Sequence, residues 1–415
     1  MSSIVFSMPV GLVYNPYTFA GHDDPYVTYR RLRDEAPAWW NADLKFWVLS
    51  RFDDVQEGFR DNRTYSSRGG IALENRRSIN KTNQEFQQMI ELDPPEHTVF
   101  RRLVSRIFTA SSMAAMESEI RVIVDHYIDS IIEQGHGDLV GDVSGPFPMD
   151  VISTILGIPA KDRRQLRVQA NKIMIREDGS MAIPKAALDG MMGLLEYFIA
   201  DLAKRKQGEG RGLISDLIDL KVDGRALTES ELLGFCVLFV IAGHETTTKM
   251  VANAVEILSL HPDQRDALVA DPSLVPAAVE EVLRYHNSTQ YMHRTLTTDI
   301  EIHGQSMQEG DSVLLLIGAA NHDDREYGPT ADQFDIYRNA ERHLAFGYGA
   351  HFCLGAALAR TEGKVALEQI LLRIPDFEVD HETKIRFHSS NVTGWNRLPI
   401  SFTAGIPSRA TGVAV

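Results

Sequence analysis

Apolar residues recur at helical spacing along most of the chain. Ile120, Val124, Tyr127, Ile128 and Ile131 fall on one face of a 3.6-residue repeat, so residues 113–134 read as an amphipathic helix laid on a core. Residues 186–206 and 261–270 carry the same pattern. Residues 228–258 differ: Thr228 and Glu231 have the spacing of a capping box, and the segment they open is apolar on nearly every side. A helix without a polar face belongs inside a protein, so this one is expected to run through the middle. Strand signals are few and short: Phe46–Leu49, Ile300–Ile302, Val313–Ile317 and Leu398–Phe402. The expected class is mainly α, a helix-rich single domain over residues 1–415 with a long buried central helix and small peripheral β-sheets. The stretch Lys204–Gly212 reads as a surface loop. Roughly 15 residues at the N-terminus and 12 at the C-terminus are expected to be loosely ordered.

Composition narrows the partners. With 415 residues, 44% of them hydrophobic, the chain can bury a large core without disulfide or zinc staples. Lys and Arg number 42 against 57 Asp and Glu, a formal net charge of −15. That balance argues against nucleic-acid binding, which needs a basic surface, and against adsorption to anionic membranes. The longest apolar run, Leu232–Gly243, is short of the ~18–20 residues that span a bilayer, so stable membrane insertion is not expected. The N-terminus lacks the basic and apolar regions of a secretory signal. Two cysteines, Cys236 and Cys353, exclude a disulfide framework and fit a reducing compartment. A cytoplasmic protein is the expectation.

Candidate chemistry concentrates at residues 343–360, HLAFGYGAHFCLGAALAR. Three glycines, Gly347, Gly349 and Gly355, surround Cys353 just ahead of a helical pattern. Glycine permits turns that other residues resist and lets backbone approach a flat ligand. A cysteine at a helix start meets backbone N–H groups that favour the thiolate, which is a nucleophile or a metal ligand. Cys236, inside the apolar segment, reads as a core residue. The set Phe346-Gly347-x-Gly349-x-His351-x-Cys353-x-Gly355 resembles the haem-binding loop of the cytochrome P450 family. Further motifs follow the order of that family. Glu281 and Arg284, alone an ordinary helix ion pair, resemble its E-x-x-R helix, and Phe334-Asp335-Ile336-Tyr337-Arg338 resembles the meander whose arginine completes a structural Glu-Arg-Arg network. Asp93–Arg101 resembles its C-helix entry. His97 and Arg101 stand four apart, suited to clamping an anion. The segment Ile241-Ala242-Gly243-His244-Glu245-Thr246-Thr247 resembles its oxygen-binding groove, with Glu245 and Thr246 as acid and alcohol.

The resemblance implies a cytochrome P450 fold and haem b, iron protoporphyrin IX with an axial thiolate from Cys353. It assigns the propionates to His97, Arg101, Arg294 and His351, and the haem surroundings to Ala242, Phe346, Gly347 and Gly355. It implies a monooxygenase with dioxygen as co-substrate, Thr246 beside the oxygen and Glu245 relaying protons. Electrons come indirectly from NAD(P)H through a separate ferredoxin or flavodoxin and its reductase, which serve a monomer. The docking charges implied are Arg102, Arg106, Arg342, Arg360 and Lys364. Ile71, Ile241, Met292 and Val392 are the pocket candidates, apolar enough for a small or medium lipophile: a terpenoid, steroid, fatty-acyl or aromatic compound. Two alternatives stay open: a haem-thiolate peroxygenase or isomerase that does not activate dioxygen, and a non-catalytic haem-binding sensor or carrier.

Overall fold

The computed structural model describes residues 9, 11–79, 88–222 and 224–408. Its axis is the helix Glu229–Leu260, which carries the expected capping box: Thr228 Oγ1 accepts from the Glu231 N–H, and the Glu231 carboxylate accepts from the Thr228 N–H. From Leu232 to Val240 every residue is buried, as an all-round apolar helix must be. Around it pack the helices Pro146–Leu156, Ala160–Met174, Lys185–Arg205, Val275–Tyr285 and Ala356–Arg373. Their inward side chains form the largest apolar cluster, running from Val104 through Phe147, Phe198 and Val237 to Ile370. The helix expected at 113–134 is broken at Met116 into Ala110–Ala115 and Glu117–Ile132, and the first piece has its own cap, Thr109 accepting from the Ser112 N–H. No helix among the described residues is long and apolar enough to cross a membrane.

One sheet is larger than the pattern suggested. Its order is Ala38–Asn41, Phe46–Leu49, Ser312–Leu315, Met292–Leu296, Tyr65–Ser66. Phe46–Leu49 runs parallel to Ser312–Leu315, placing Trp47 opposite Val313, and the remaining pairs are antiparallel. Three of these strands, four, two and five residues long, were not among those the pattern predicted. Val313–Ile317 stops as a strand at Leu315, since Ile317 opens a short helix, and Leu398–Phe402 contracts to Pro399–Ser401. The expectation of loose termini is corrected where it can be read. Leu12 and Tyr14 are buried in a second apolar cluster, and Ser408 donates both its N–H and its hydroxyl to Asp129. The rest of that expectation, at 1–8, 10 and 409–415, lies outside the described residues.

Candidate active site

One cavity opens between the central helix, the cysteine loop and the five-stranded sheet, with about 1440 Å³ of atom-free space counted out through its mouth. The central helix contributes Leu238, Phe239, Ala242, Gly243, Thr246, Thr247 and Met250. Steps of one, three and four make a single stripe on the helix. Gly243 lets Pro146–Leu156 approach, because a Cβ there would come within 2.9 Å of the Ile152 side chain. Thr246 donates its hydroxyl to the Ala242 carbonyl at 2.9 Å, and Ser288 donates to the Thr246 carbonyl.

Opposite lies Cys353. Gly347 and Gly349 take positive φ, 68° and 70°, and a Cβ on Gly349 would meet the Phe59 carbonyl at 2.9 Å. Glycine is therefore required where the loop turns under the cavity. The turn closes as the Cys353 N–H donates to the Phe346 carbonyl at 2.8 Å, and Gly355 leads into Ala356–Arg373. Burial pushes the Cys353 thiol up, while the Gly355 backbone N–H and the charges of Arg101 and Arg360 favour thiolate. A cation held at the sulfur would settle that contest for thiolate.

At the rim four nitrogenous side chains converge. His97 lies on Glu96–Val104 with its ring 4.0 Å from that of His351. Arg101 donates to the Phe352 carbonyl at 2.6 Å, and Arg294, on Met292–Leu296, to the adjoining His293 carbonyl. His351 Nε2 stands 3.3 Å from Ser67 Oγ. All four line the cavity. Neither arginine has a carboxylate within 4.0 Å among the described residues, and the buried His97 Nδ1 has no partner. Burial draws Arg294 down to about 10, with Asp93 opposing, and burial and the Arg101 charge draw His97 down to about 4. Two arginines without a paired carboxylate, flanked by two neutral histidines, fit the two carboxylates of a porphyrin, and the Cys353 thiol across the cavity fits the iron.

Glu281 and Arg284 are both fully buried. Glu281 takes two bonds from Arg284 at 2.7 Å, one from Arg338 Nε at 3.2 Å and one from the Asp335 N–H at 3.0 Å. The remaining Arg284 donors reach the carbonyls of Asn321, Ala331 and Gln333.

The structure brings most of the predicted residues together. Ile71, His97, Arg101, Ala242, Thr246, Met292, Arg294, Phe346, Gly347, His351, Cys353 and Gly355 all face the cavity. Three others are corrected. Ile241 and Glu245 stand one helical step from the lining stripe: Ile241 packs against the core, while Glu245 pairs with Lys249 at 2.9 Å. Val392 bridges backbone to Thr289 and is absent from the wall. Missed altogether was Glu362, which lines the cavity from Ala356–Arg373 with both carboxylate oxygens unpartnered; burial holds it well above the usual carboxylate range. An acid continuing the Leu358, Ala359 face was the available signal. Of the five docking charges, Arg342 pairs with Glu326, Arg360 with Glu280 and Lys364 with Glu117. Arg102 and Arg106 are exposed and have no ion pair among the described residues.

Comparison with known proteins agrees with this geometry. Residues 180–403 match the family model described as Cytochrome P450. A Mycobacterium tuberculosis cytochrome P450 is 40% identical over 399 residues, 95% of this chain and 98% of that one. A vitamin D(3) 25-hydroxylase from Pseudonocardia autotrophica is 36% identical, covering 91% and 94%. A Bacillus megaterium cytochrome P450 solved in complex with testosterone superposes with a TM-score of 0.85 at 29% identity, covering 92% and 99%. A cysteine cradled by glycines under a cationic rim, and full-length likeness to such enzymes, lead to one assignment: the chain belongs to the cytochrome P450 family of monooxygenases.

Proposed function

We propose that the chain inserts one atom of dioxygen into an uncharged, steroid-sized lipophile, with electrons delivered from NAD(P)H by a separate ferredoxin or flavodoxin and its reductase. It acts as a single-domain monomer in the cytoplasm. Cys353 would hold the haem iron, and His97, Arg101, Arg294 and His351 its propionates. When bound, the haem supplies the reductive activation of dioxygen, favoured by electron density from the thiolate.

The chain's own residues do the rest. Ile71, Ile152, Leu238, Phe239 and Met292 offer substrate an apolar wall that excludes water. Two of the polar groups beside them are already engaged, Ser288 on the Thr246 carbonyl and Asn287 on that of Thr289. A charged substrate would find no counter-charge on this part of the wall. The vitamin D(3) hydroxylase and the testosterone complex among the similar proteins support the same substrate class. Thr246 carries the reading: its hydroxyl is on the cavity stripe and can exchange the Ala242 carbonyl for an oxygen or water in the cavity. Glu245 supplies protons from the far side of the same turn.

That orientation of Glu245, away from the cavity and onto Lys249, favours a second reading, a peroxygenase that needs no proton delivery. Thr246→Ala decides between them. Holoenzyme turned over with NAD(P)H, surrogate redox proteins and a steroid panel should keep its substrate-induced spectral shift, while reducing equivalents divert from product to peroxide. Unchanged coupling would support the peroxygenase.

A further inference from the structure

His244 is buried, with 1% of its surface exposed, and its ring is fixed at one end. Nε2 stands 3.0 Å from the Gly145 carbonyl, which can only accept, so Nε2 carries a hydrogen. In the neutral ring Nδ1 is then a lone pair. It has no hydrogen-bond partner and stands 3.4 Å from Glu245 Oε2. Two acceptors confronted in a dry site are unfavourable, and one proton between them removes the conflict.

The surroundings hold the pair in place. Lys249 occupies Glu245 Oε1 at 2.9 Å and is itself held by the Trp395 carbonyl at 2.8 Å and the Phe387 ring. Gly394, at a φ of 153°, lets that strand close over the lysine stem, since a Cβ there would come within 2.7 Å of it. Asn171, on the exposed side of Ala160–Met174, reaches Glu245 Oε2 at 3.3 Å with its amide nitrogen turned inward. Solvent thus lies one side chain away from Oε2.

We propose that His244 is a positioning residue that shares Glu245's proton, so that the pair and not the carboxyl alone is the proton store behind Thr246. This rests on the reading of Glu245 as the proton supply. A proton from a hydronium ion entering beside Asn171 forms the Nδ1–H bond as the hydronium O–H bond breaks and leaves water, and the imidazolium is balanced by the Glu245 carboxylate. The Nδ1–H bond then breaks as Oε2–H forms. Glu245 turns toward Thr246 as a neutral acid, returning the ring to its Nε2–H form. No electron moves. The charges acting on the ring are Glu245 and Lys249 on its own helix and Arg167 from Ala160–Met174, with the Gly145 carbonyl at the anchored end. Burial, Lys249 and Arg167 disfavour the imidazolium, so it is a transient carrier.

The test uses holoenzyme labelled with ¹⁵N-histidine in its diamagnetic ferrous carbon monoxide form, with His244→Gln for assignment. Glutamine can keep the bond to Gly145 but binds no proton. The His244 resonances should show the Nε2–H tautomer and a protonation on acidification that moves in Glu245→Gln. In turnover, His244→Gln should lower kcat about tenfold at unchanged KM, enlarge the solvent isotope effect and flatten the pH profile, less than the roughly 10²–10⁴-fold loss of a direct acid or base because Glu245 remains. A His244 signal indifferent to Glu245→Gln overturns the proposal. So does a His244→Gln enzyme with normal kcat and isotope effect beside a slow Glu245→Gln enzyme. Normal turnover in Glu245→Gln would instead overturn the underlying reading of Glu245.

Discussion

Two clusters of buried charge flank the cysteine loop, and they are built on opposite plans. In the Glu281 cluster each carboxylate oxygen and each terminal nitrogen of Arg284 has a partner. At the cavity rim, His97, Arg101, Arg294 and His351 gather positive and neutral donors, and among the described residues no carboxylate stands within 4.0 Å of either arginine. A closed network fixes structure, because any removal strands a buried charge. An open one is a site, because its missing members come from outside. Polar burial alone does not distinguish the two, whereas counting partners does.

The comparison breaks most visibly at Glu281. Glu281→Ala leaves Arg284 buried and unpaired, at a cost of about 3–5 kcal/mol. Urea unfolding and haem content should both collapse, and a variant of ordinary stability would deny the network its structural role. At the rim the same kind of change should act on the ligand. Arg294→Leu removes a cation without a counter-charge, so the haem-free chain should be no less stable. Haem retention should nevertheless weaken about tenfold to a hundredfold, the worth of a charge-assisted hydrogen bond of about 1.5–3 kcal/mol. Haem transfer to apomyoglobin measures it.

Acid should expose the open plan next. His244 and His293 are drawn down to about 4 and His286 to about 3, chiefly by burial, and Nδ1 of His244 and Nε2 of His293 lack partners. These rings stay neutral in the fold at a pH where the unfolded chain, with histidines near about 6.5, already binds protons. Their contribution is complete above about pH 6.5 and is lost as pH falls toward 4, so the urea midpoint should drop steadily across that window. A flat midpoint would mean that the rings are already charged in the fold.

The smallest effect lies on the surface. Among the described residues Arg102 and Arg106 have no ion pair, while Lys364 is paired with Glu117. Reversing either arginine to Glu should slow ferredoxin-driven reduction about twofold to fivefold, less at high ionic strength. Lys364→Glu should affect stability more than this rate. Equal responses at all three would remove the distinction.

What the sequence disclosed follows the same line. The central helix and its cap were legible because Thr228, Glu231 and the unbroken apolar run are local signals. The cysteine loop was legible because Gly347 and Gly349 answer a backbone demand on the spot. Partners from distant elements were not: Glu117 opposite Lys364 and Glu280 opposite Arg360 each depend on packing, whereas Lys249, four residues after Glu245 on the same helix, was open to reading. Glu245 was a different failure. A step of 100° per residue already separates Ile241 and Glu245 from Ala242 and Thr246, so the motif named the acid while its helical angle pointed it elsewhere.

The parallel pairing of Phe46–Leu49 with Ser312–Leu315 also has a consequence for how the molecule is made. Arg294 is carried by the next strand of that sheet, and Tyr65–Ser66 closes it on the other side. On a ribosome, the second edge of Phe46–Leu49 must wait until residue 315 has emerged, and Tyr65–Ser66 until residue 296 has. Early helices can form as they appear, whereas this long-range closure is intrinsically slow. The nascent chain therefore spends most of its synthesis with the rim incomplete and Phe46–Leu49 paired on one edge only, to Ala38–Asn41. That interval is when chaperones have most to protect, and haem can be captured securely only at its end.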